Sequence, residues 1–293
     1  MKKPILQQTV KQVQTCFNEK LSKEKRNFNS DIFKLLEATT GYTQLDVLVN
    51  PTAVLKINDY EHFQKAVNLY LKGMPLYRIL GAREFFGIKF LLNEETLEPR
   101  DDTEVLVQTG LNFLQNEHPV AESKILDIGT GTGIIAISLL SCLPQAKALA
   151  TDISAKALEI AQKNAKNAAL EKRISFIKSD GFEKIQGTFD LIISNPPYIP
   201  TDVIENLEEN VKTYDPKPAL DGGRDGLDFY RLFAKNCKKH MHKKSLLALE
   251  IGKGQENEIQ TIFEESDYIL KDVIKDLQGI NRVLTFQINE EYL

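Results

Sequence analysis

Cysteine is scarce in these 293 residues: Cys16, Cys142 and Cys237 are odd in number and far apart. That excludes a disulfide framework or a zinc module as the organising device and points to a reducing, cytoplasmic setting. Histidine is equally sparse. His62, His118, His240 and His242 form no metal or nucleophile constellation with those cysteines, and no metal is expected. Long hydrophobic runs are absent as well, since nothing approaches the roughly 18 apolar residues that suggest a membrane span. The opening Met1-Lys2-Lys3-Pro4 leads into polar residues, so no signal-peptide hydrophobic region is expected. Positive charge is not in excess either, with 37 Lys and Arg against 41 Asp and Glu. A net charge of −4 argues against a dedicated nucleic-acid binder, whose phosphate affinity rests on clustered cations. What is present is ordinary globular material, 42% hydrophobic and 27% charged, enough for one large domain and one small one.

The basic residues that exist are unevenly placed. Lys2, Lys3, Lys11, Lys20, Lys23, Lys25 and Arg26 crowd residues 1–27 against Glu19 and Glu24. Contact with RNA or an acidic partner is one reading; a solvated, partly frayed helix is the simpler one. From Ser30 to Gly73 the pattern is helical, most clearly over Asp59–Lys72, where Phe63, Ala66, Val67, Tyr70 and Leu71 recur at helix spacing. Asn58 or Asp59 suits its cap and Gly73 its left-handed stop, and Pro75 forbids continuation. Residues 84–92 read as short extended pieces about Gly87, a hairpin arm.

Beyond residue 103, short apolar runs alternate with helical stretches such as Ser154–Ala169 and Asp228–Lys239. The runs are Lys124–Ile128, Lys147–Ile153, Ile174–Lys178, Phe189–Ser194 and Ser245–Ile251. This alternation predicts a doubly wound, Rossmann-like α/β sheet with ligands at the carboxyl ends of its strands. Runs near Tyr268–Ile274 and Arg282–Ile288 complete the sheet, as an antiparallel hairpin. The expected division is a helical domain over residues 1–83, a β-hairpin linker over 84–103 and the α/β domain over 104–293.

Asp127-Ile-Gly129-Thr130-Gly131-Thr132-Gly133 is a strand end, a glycine-rich turn and a helix start. Glycines let the backbone turn tightly and let a ligand approach with no Cβ in the way. The spacing is Gly-x-Gly-x-Gly, not the Gly-x-Gly-x-x-Gly that favours a dinucleotide pyrophosphate. Asp127 beside it suits a cationic, phosphate-free group. Asp152 ends the next strand, where a carboxylate accepts from both ribose hydroxyls of an adenosine-type ligand. A third strand ends at Asp180-Gly181-Phe182, with Asp180 able to accept from an adenine amino group and Phe182 to pack on the ring. Singly, each acid reads as a turn or a cap. Together, in this order, they resemble the class I S-adenosylmethionine-dependent methyltransferases, with S-adenosyl-L-methionine as the implied cofactor.

The fourth strand ends in Asn195-Pro196-Pro197-Tyr198-Ile199-Pro200. Three prolines in five residues forbid a helix or a central strand and hold Asn195 and Pro196 extended. A stiff surface turn is the plain alternative. The chemistry argues otherwise. An amide or aromatic amine nitrogen is a poor nucleophile because its lone pair is delocalised, and no side chain readily deprotonates it. Two acceptors, the Asn195 side-chain oxygen and the Pro196 carbonyl, can fix its two N–H groups and raise its electron density. Tyr198 can lie against the planar group. Asn195, Pro196 and Tyr198 are therefore the candidate catalytic residues, and Pro197 lines the substrate with them. Orientation and electrostatics, not a general base, supply the rate.

Further marks carry a closer resemblance: Pro75-Leu-Tyr-Arg-Ile-Leu-Gly81, Glu84-Phe-Phe-Gly87, Leu97-Glu-Pro-Arg-Asp-Asp-Thr-Glu104 and Pro218-Ala-Leu-Asp-Gly-Gly-Arg-Asp-Gly-Leu227. With the tetrapeptide, they resemble the HemK/PrmC family of peptide chain release factor N(5)-glutamine methyltransferases, from about residue 30 to the C-terminus. The family's usual Pro-Arg-Pro-Asp-Thr-Glu stands here as Pro99-Arg100-Asp101-Asp102-Thr103-Glu104, and Gly181 stands where an aromatic often follows the third-strand Asp. The resemblance implies methylation of the glutamine in the Gly-Gly-Gln loop of class I release factors, with the helical domain and hairpin as docking platform. A glutamine side chain is slim, so no base-flipping pocket is required.

Alternatives remain open at this point. A sister enzyme would methylate a ribosomal-protein glutamine. An RNA or DNA amine methyltransferase would draw on the basic stretch Lys235–Lys244, which reads more simply as the polar end of a helix. A cofactor-binding module without turnover would be expected to have lost Asn195 or the glycine turn. An oxidoreductase is disfavoured by the glycine spacing and by Asp127.

Overall fold

The computed structural model describes residues 4–21, 28–117 and 122–289. His118, Lys2, Lys3, Lys23, Lys25 and Arg26 lie outside them. The chain divides into two compact units, residues 1–81 and 82–293.

The first unit is helical: α1 (Leu6–Leu21), α2 (Phe28–Thr40), α3 (Gln44–Val49), α4 (Ile57–Leu71) and α5 (Leu76–Leu80). The expected N-terminal helix is present and solvated on one face, but its other face is packed; the fraying expected of it concerns residues outside the described ones. α1 carries Leu6, Val10, Val13 and Phe17 at helix spacing, and all four are buried with Ile32, Leu35, Phe63 and Val67. α4 starts at Ile57, earlier than Asn58 or Asp59 could cap, and Lys56 offers no side-chain cap. It stops as expected, with Gly73 at φ 92.

The second unit opens on a hairpin, β1 (Ala82–Phe85) and β2 (Ile88–Leu91), turned by Phe86 and Gly87 at positive φ. Far from standing free, the hairpin belongs to the α/β core, in which Phe85 and Phe90 are buried. Asn164, itself buried, accepts from Leu91 N–H at 2.8 Å and donates to Leu91 O at 3.1 Å and Thr132 O at 2.9 Å. One side chain thereby ties hairpin, helix and glycine turn together.

There follow α6 (Thr103–Glu117), β3 (Lys124–Ile128), α7 (Ile134–Cys142), β4 (Lys147–Asp152), α8 (Ala155–Asn167), β5 (Ile174–Lys178) and β6 (Phe189–Ser194). Then come α9 (Glu209–Tyr214), α10 (Asp228–Asn236), β7 (Met241–Glu250), α11 (Glu256–Glu264), β8 (Tyr268–Lys275) and β9 (Asn281–Ile288). The sheet order is β5-β4-β3-β6-β7-β9-β8, parallel except that β9 runs antiparallel to both of its neighbours. The chain winds outward through β3, β4 and β5, then crosses back to β6 on the other side of β3. That reversal opens a crevice at the carboxyl ends of β3 and β6. The stretch Lys235–Lys244 is not one helix end. It passes from α10 through a 3₁₀ turn into β7, so Lys243 and Lys244 are strand residues.

Candidate active site

Register brings the sequence motifs together. Ile128 lies opposite Thr151, so Gly129 stands beside Asp152 at the ends of β3 and β4. Asp152 lies opposite Lys178, which places Asp180 just beyond β5. Asp127 lies opposite Ile193 and the Ser194 hydroxyl donates to Ile128 O at 2.6 Å, holding Asn195 across from the glycine turn. A cavity of about 550 Å³ occupies this crevice. Gly129, Thr130, Gly131, Thr132, Asp152, Asp180, Gly181, Asn195 and Pro197 all line it.

The glycines do different jobs. Gly129 and Gly131 have φ of 71 and 56, and a Cβ on either would meet nothing within 4 Å, so their bareness keeps the crevice open. Gly133 does not line the cavity. A Cβ there would come within 2.8 Å of Ile137 Cδ1, so this glycine serves the packing of α7.

Asp127 lies under the turn and is wholly buried, not on the cavity wall. It accepts from the Thr130 hydroxyl at 2.6 Å and Ala136 N–H at 3.3 Å, while its Oδ1 has no partner. Burial pushes this carboxyl up to about 7 against those two hydrogen bonds, with the charge of Asp152 adding to the rise. Asp152 accepts from Gly131 N–H and Ser154 N–H, each at 2.9 Å, and burial raises it too.

Phe182 departs from expectation. Gly181 turns the chain at φ 47, and Phe182 enters the core, edge-on to Phe233 and stacked on His240 with 5.7 Å between centroids. It does not line the cavity; Ile153, Phe229 and Leu232 supply the apolar wall. Pro196 is buried, and neither it nor Tyr198 reaches this wall. Tyr198 packs against the core beside Gly252, and burial raises its phenol to about 12.

Several residues at the site carry roles that motif reading did not assign. Thr103, the first residue of α6, lines the cavity and accepts from the Asn195 side-chain N–H at 3.2 Å. Glu250 ends β7 beside Asn195, buried, with burial pushing its carboxyl up to about 7 against hydrogen bonds from Thr103 and Asn195. A lone acid closing the apolar run Leu246–Leu249 was the readable signal. Arg100, on the cavity wall, pairs with buried Asp215 at 2.6 Å and joins two segments that border the opening. No group of three or more His, Cys, Asp or Glu that could hold a metal occurs among the described residues. Nor does any helix among them have the length and apolarity to cross a membrane.

Comparison with known proteins agrees with this geometry. Residues 103–210 match the family described as Methyltransferase small domain. A release factor glutamine methyltransferase of Agrobacterium fabrum is 42% identical over 254 residues, covering 86% of this chain and 88% of that protein. A bifunctional methyltransferase of Rickettsia felis is 38% identical over 274 residues, 84% of this chain, which spans about half (52%) of that longer protein. The crystal structure of a methyltransferase from Pyrococcus furiosus shares the fold at a TM-score of 0.50 and 20% identity, over 76% of this chain and 96% of that one. The sheet order and crevice are those of a class I S-adenosylmethionine-dependent methyltransferase, and the identity over most of both chains shows that this protein belongs to the release factor glutamine methyltransferase family.

Proposed function

We propose that this chain methylates the side-chain amide nitrogen of the glutamine in the Gly-Gly-Gln motif of class I peptide chain release factors, in the cytoplasm. The observation that carries the reading is the position of Asn195. It lines the cavity across from the glycine turn, with its amide nitrogen directed to Thr103 and its oxygen left to accept.

The cavity fits S-adenosylmethionine. Gly129 and Gly131 leave open space above the turn, Asp152 and Asp180 line it, and the unpartnered Asp127 Oδ1 beneath favours a cationic ligand. When bound there, the cofactor supplies an electrophilic methyl group on a sulfonium. In this reading Asp152 holds the ribose and Asp180 the adenine amino group, with Leu232 and Phe229 as apolar contacts in place of Phe182. Asn195 Oδ1 accepts one N–H of the glutamine amide and, once the substrate reaches past the cavity wall, the Pro196 carbonyl accepts the other; together they fix its orientation and raise its electron density. Pro197 limits the path to the cavity, and Tyr198 braces the turn from behind.

The helical unit is the proposed docking surface, with the release factor as its occupant. Leu45, Leu48 and Val49 on or beside α3 are each more than half exposed, an unusual concentration for so short a helix. Leu48→Glu should weaken methylation of the intact release factor while leaving cofactor affinity unchanged.

Mass spectrometry of a release factor after incubation with the protein and cofactor tests the reading directly. A single added methyl on the Gly-Gly-Gln glutamine is expected. Label in RNA, DNA or a ribosomal protein, with the release factor untouched, would replace it.

A further inference from the structure

Glu250 is a buried acid that the proposed chemistry does not use. It does not line the cavity, its Oε2 has no hydrogen-bond partner, and its own carbonyl accepts from the buried Tyr230 hydroxyl at 2.8 Å. Leaving a carboxylate oxygen unpartnered in a core is costly, so its retention there calls for a reason. Its neighbours suggest one. The register of β6 and β7 pairs Ser194 with Leu249, which sets Asn195 beside Glu250. Thr103, at the start of α6, is buried against both.

We infer that Glu250, acting with the Thr103 hydroxyl, is the positioning residue that holds the Asn195 amide with its nitrogen inward and its oxygen toward the cavity. The argument is one of hydrogen-bond polarity. An ionised carboxylate only accepts, so the groups facing it must donate. Thr103 Oγ1 accepts from Asn195 Nδ2 at 3.2 Å, leaving its own hydrogen for Glu250. The direction Asn195 N–H to Thr103 to Glu250 is therefore set by the ionised form of Glu250, which cannot donate and which Arg282 favours. Flipping the Asn195 amide would oppose oxygen to oxygen and present N–H groups to an incoming amide nitrogen, which itself needs acceptors. Gly222, Gly252 and the Tyr198 ring position the backbone of the turn, but none distinguishes the two faces of this amide.

Other charged groups surround Glu250. Arg282 favours the ionised form, whereas Asp102 opposes it; Tyr198 and Tyr230 lie close by. Arg282 is itself shared by Asp102 at 3.0 Å and Asp276 at 3.1 Å. It supplies a diffuse field and no direct hydrogen bond to the amide, so it leaves the amide's polarity to Glu250 and Thr103.

The inference rests on the reading of Asn195 as acceptor for the substrate amide, and the test separates the two. Variants E250Q, T103V, T103S, N195A and N195A/E250Q are assayed with full-length release factor and S-adenosylmethionine. Single-turnover rate at saturating substrate, cofactor affinity by calorimetry and melting temperature are measured for each. Glu250→Gln can donate toward Asn195, and Thr103→Val cuts the relay. Both should lower the rate about tenfold or more, the scale seen when an outer partner that orients a working ligand is removed. Cofactor affinity should be little changed. Thr103→Ser, which keeps the hydroxyl, should restore most of the rate. Adding E250Q to N195A should cost nothing further, since there is no amide left to orient. Wild-type rates in folded E250Q and T103V, or fully additive losses in the double variant, overturn the inference. A wild-type rate in N195A instead overturns the reading of Asn195. Should E250Q fail to fold, the comparison of T103V with T103S decides the matter.

Discussion

Gln255 donates its side-chain N–H to the carbonyl of Tyr198 at 2.9 Å, while its Oε1 accepts from Gly252 N–H at 3.0 Å. The turn that carries Asn195 is thus braced from the start of α11, nearly sixty residues on. The brace is tight: a Cβ at Gly226 would come within 2.4 Å of Tyr198 O and 2.8 Å of Gln255 Nε2. Gln255→Leu removes both bonds without removing bulk. It should cost about 1–3 kcal/mol in stability, the scale for leaving buried partners unsatisfied. Methyl transfer should slow while cofactor affinity holds. Unfolding in urea beside a rate assay checks both, and an unaltered midpoint and rate would show the brace to be idle.

Asp152 touches the glycine turn as well as lining the cavity. Asp152→Ala should weaken S-adenosylmethionine binding by about 1.5–3 kcal/mol, the range for losing hydrogen bonds to a charged group. Calorimetry reads this directly. Unchanged affinity removes Asp152 from the site, and NAD binding as tightly as S-adenosylmethionine would overturn the cofactor.

Asp127 should make cofactor affinity depend on pH. Its folded pKa, about 7, lies above the ordinary 3.8 because burial disfavours the charged form. The folded state then holds a proton that the unfolded chain releases, so this group's contribution to stability is full below about 4. It declines as pH rises towards 7 and is level above that. A cationic ligand over the turn favours the ionised form. Affinity for S-adenosylmethionine should therefore rise between pH 6 and pH 8, and Asp127→Asn should flatten that rise. Because Glu250 titrates in the same range, the comparison with Asp127→Asn is what assigns the effect. A slope that survives the substitution belongs to another group.

Asn164 ties the hairpin to the glycine turn from a fully enclosed side chain, with two hydrogen bonds to Leu91 and one to Thr132. Asn164→Ala leaves the Leu91 N–H and the carbonyls of Leu91 and Thr132 without these partners. Destabilisation of about 2 kcal/mol or more is expected in chemical denaturation, together with faster amide exchange across residues 82–91. Exchange in the hairpin unaffected by the change would mean that Phe85, Phe90 and the hydrogen bonds of Arg83 and Phe86 hold it without Asn164.

The strands β3, β5 and β6 have the bounds that their apolar runs predict; β3 and β6, buried on both faces, announce themselves by composition alone. Glycine spacing, Asp152 and the Asn-Pro-Pro-Tyr turn were likewise legible, since each is a local constraint on backbone or ligand chemistry. Phe182 was not. An aromatic in the loop just past a strand can face ligand or core, and the left-handed Gly181 with Phe233 and His240 behind it decided for the core. α1 was obscured for a different reason: the basic excess of residues 1–27 draws the eye to charge, while the burial of Val13 and Phe17 depends on helices that only tertiary packing brings alongside. The same holds for Thr103, Asn195 and Glu250, which come from three distant segments. Sequence by itself determined the reaction class, because that chemistry resides in contiguous motifs. Only the folded sheet, by setting Ser194 against Leu249, decided that a buried acid would stand behind the amide of Asn195.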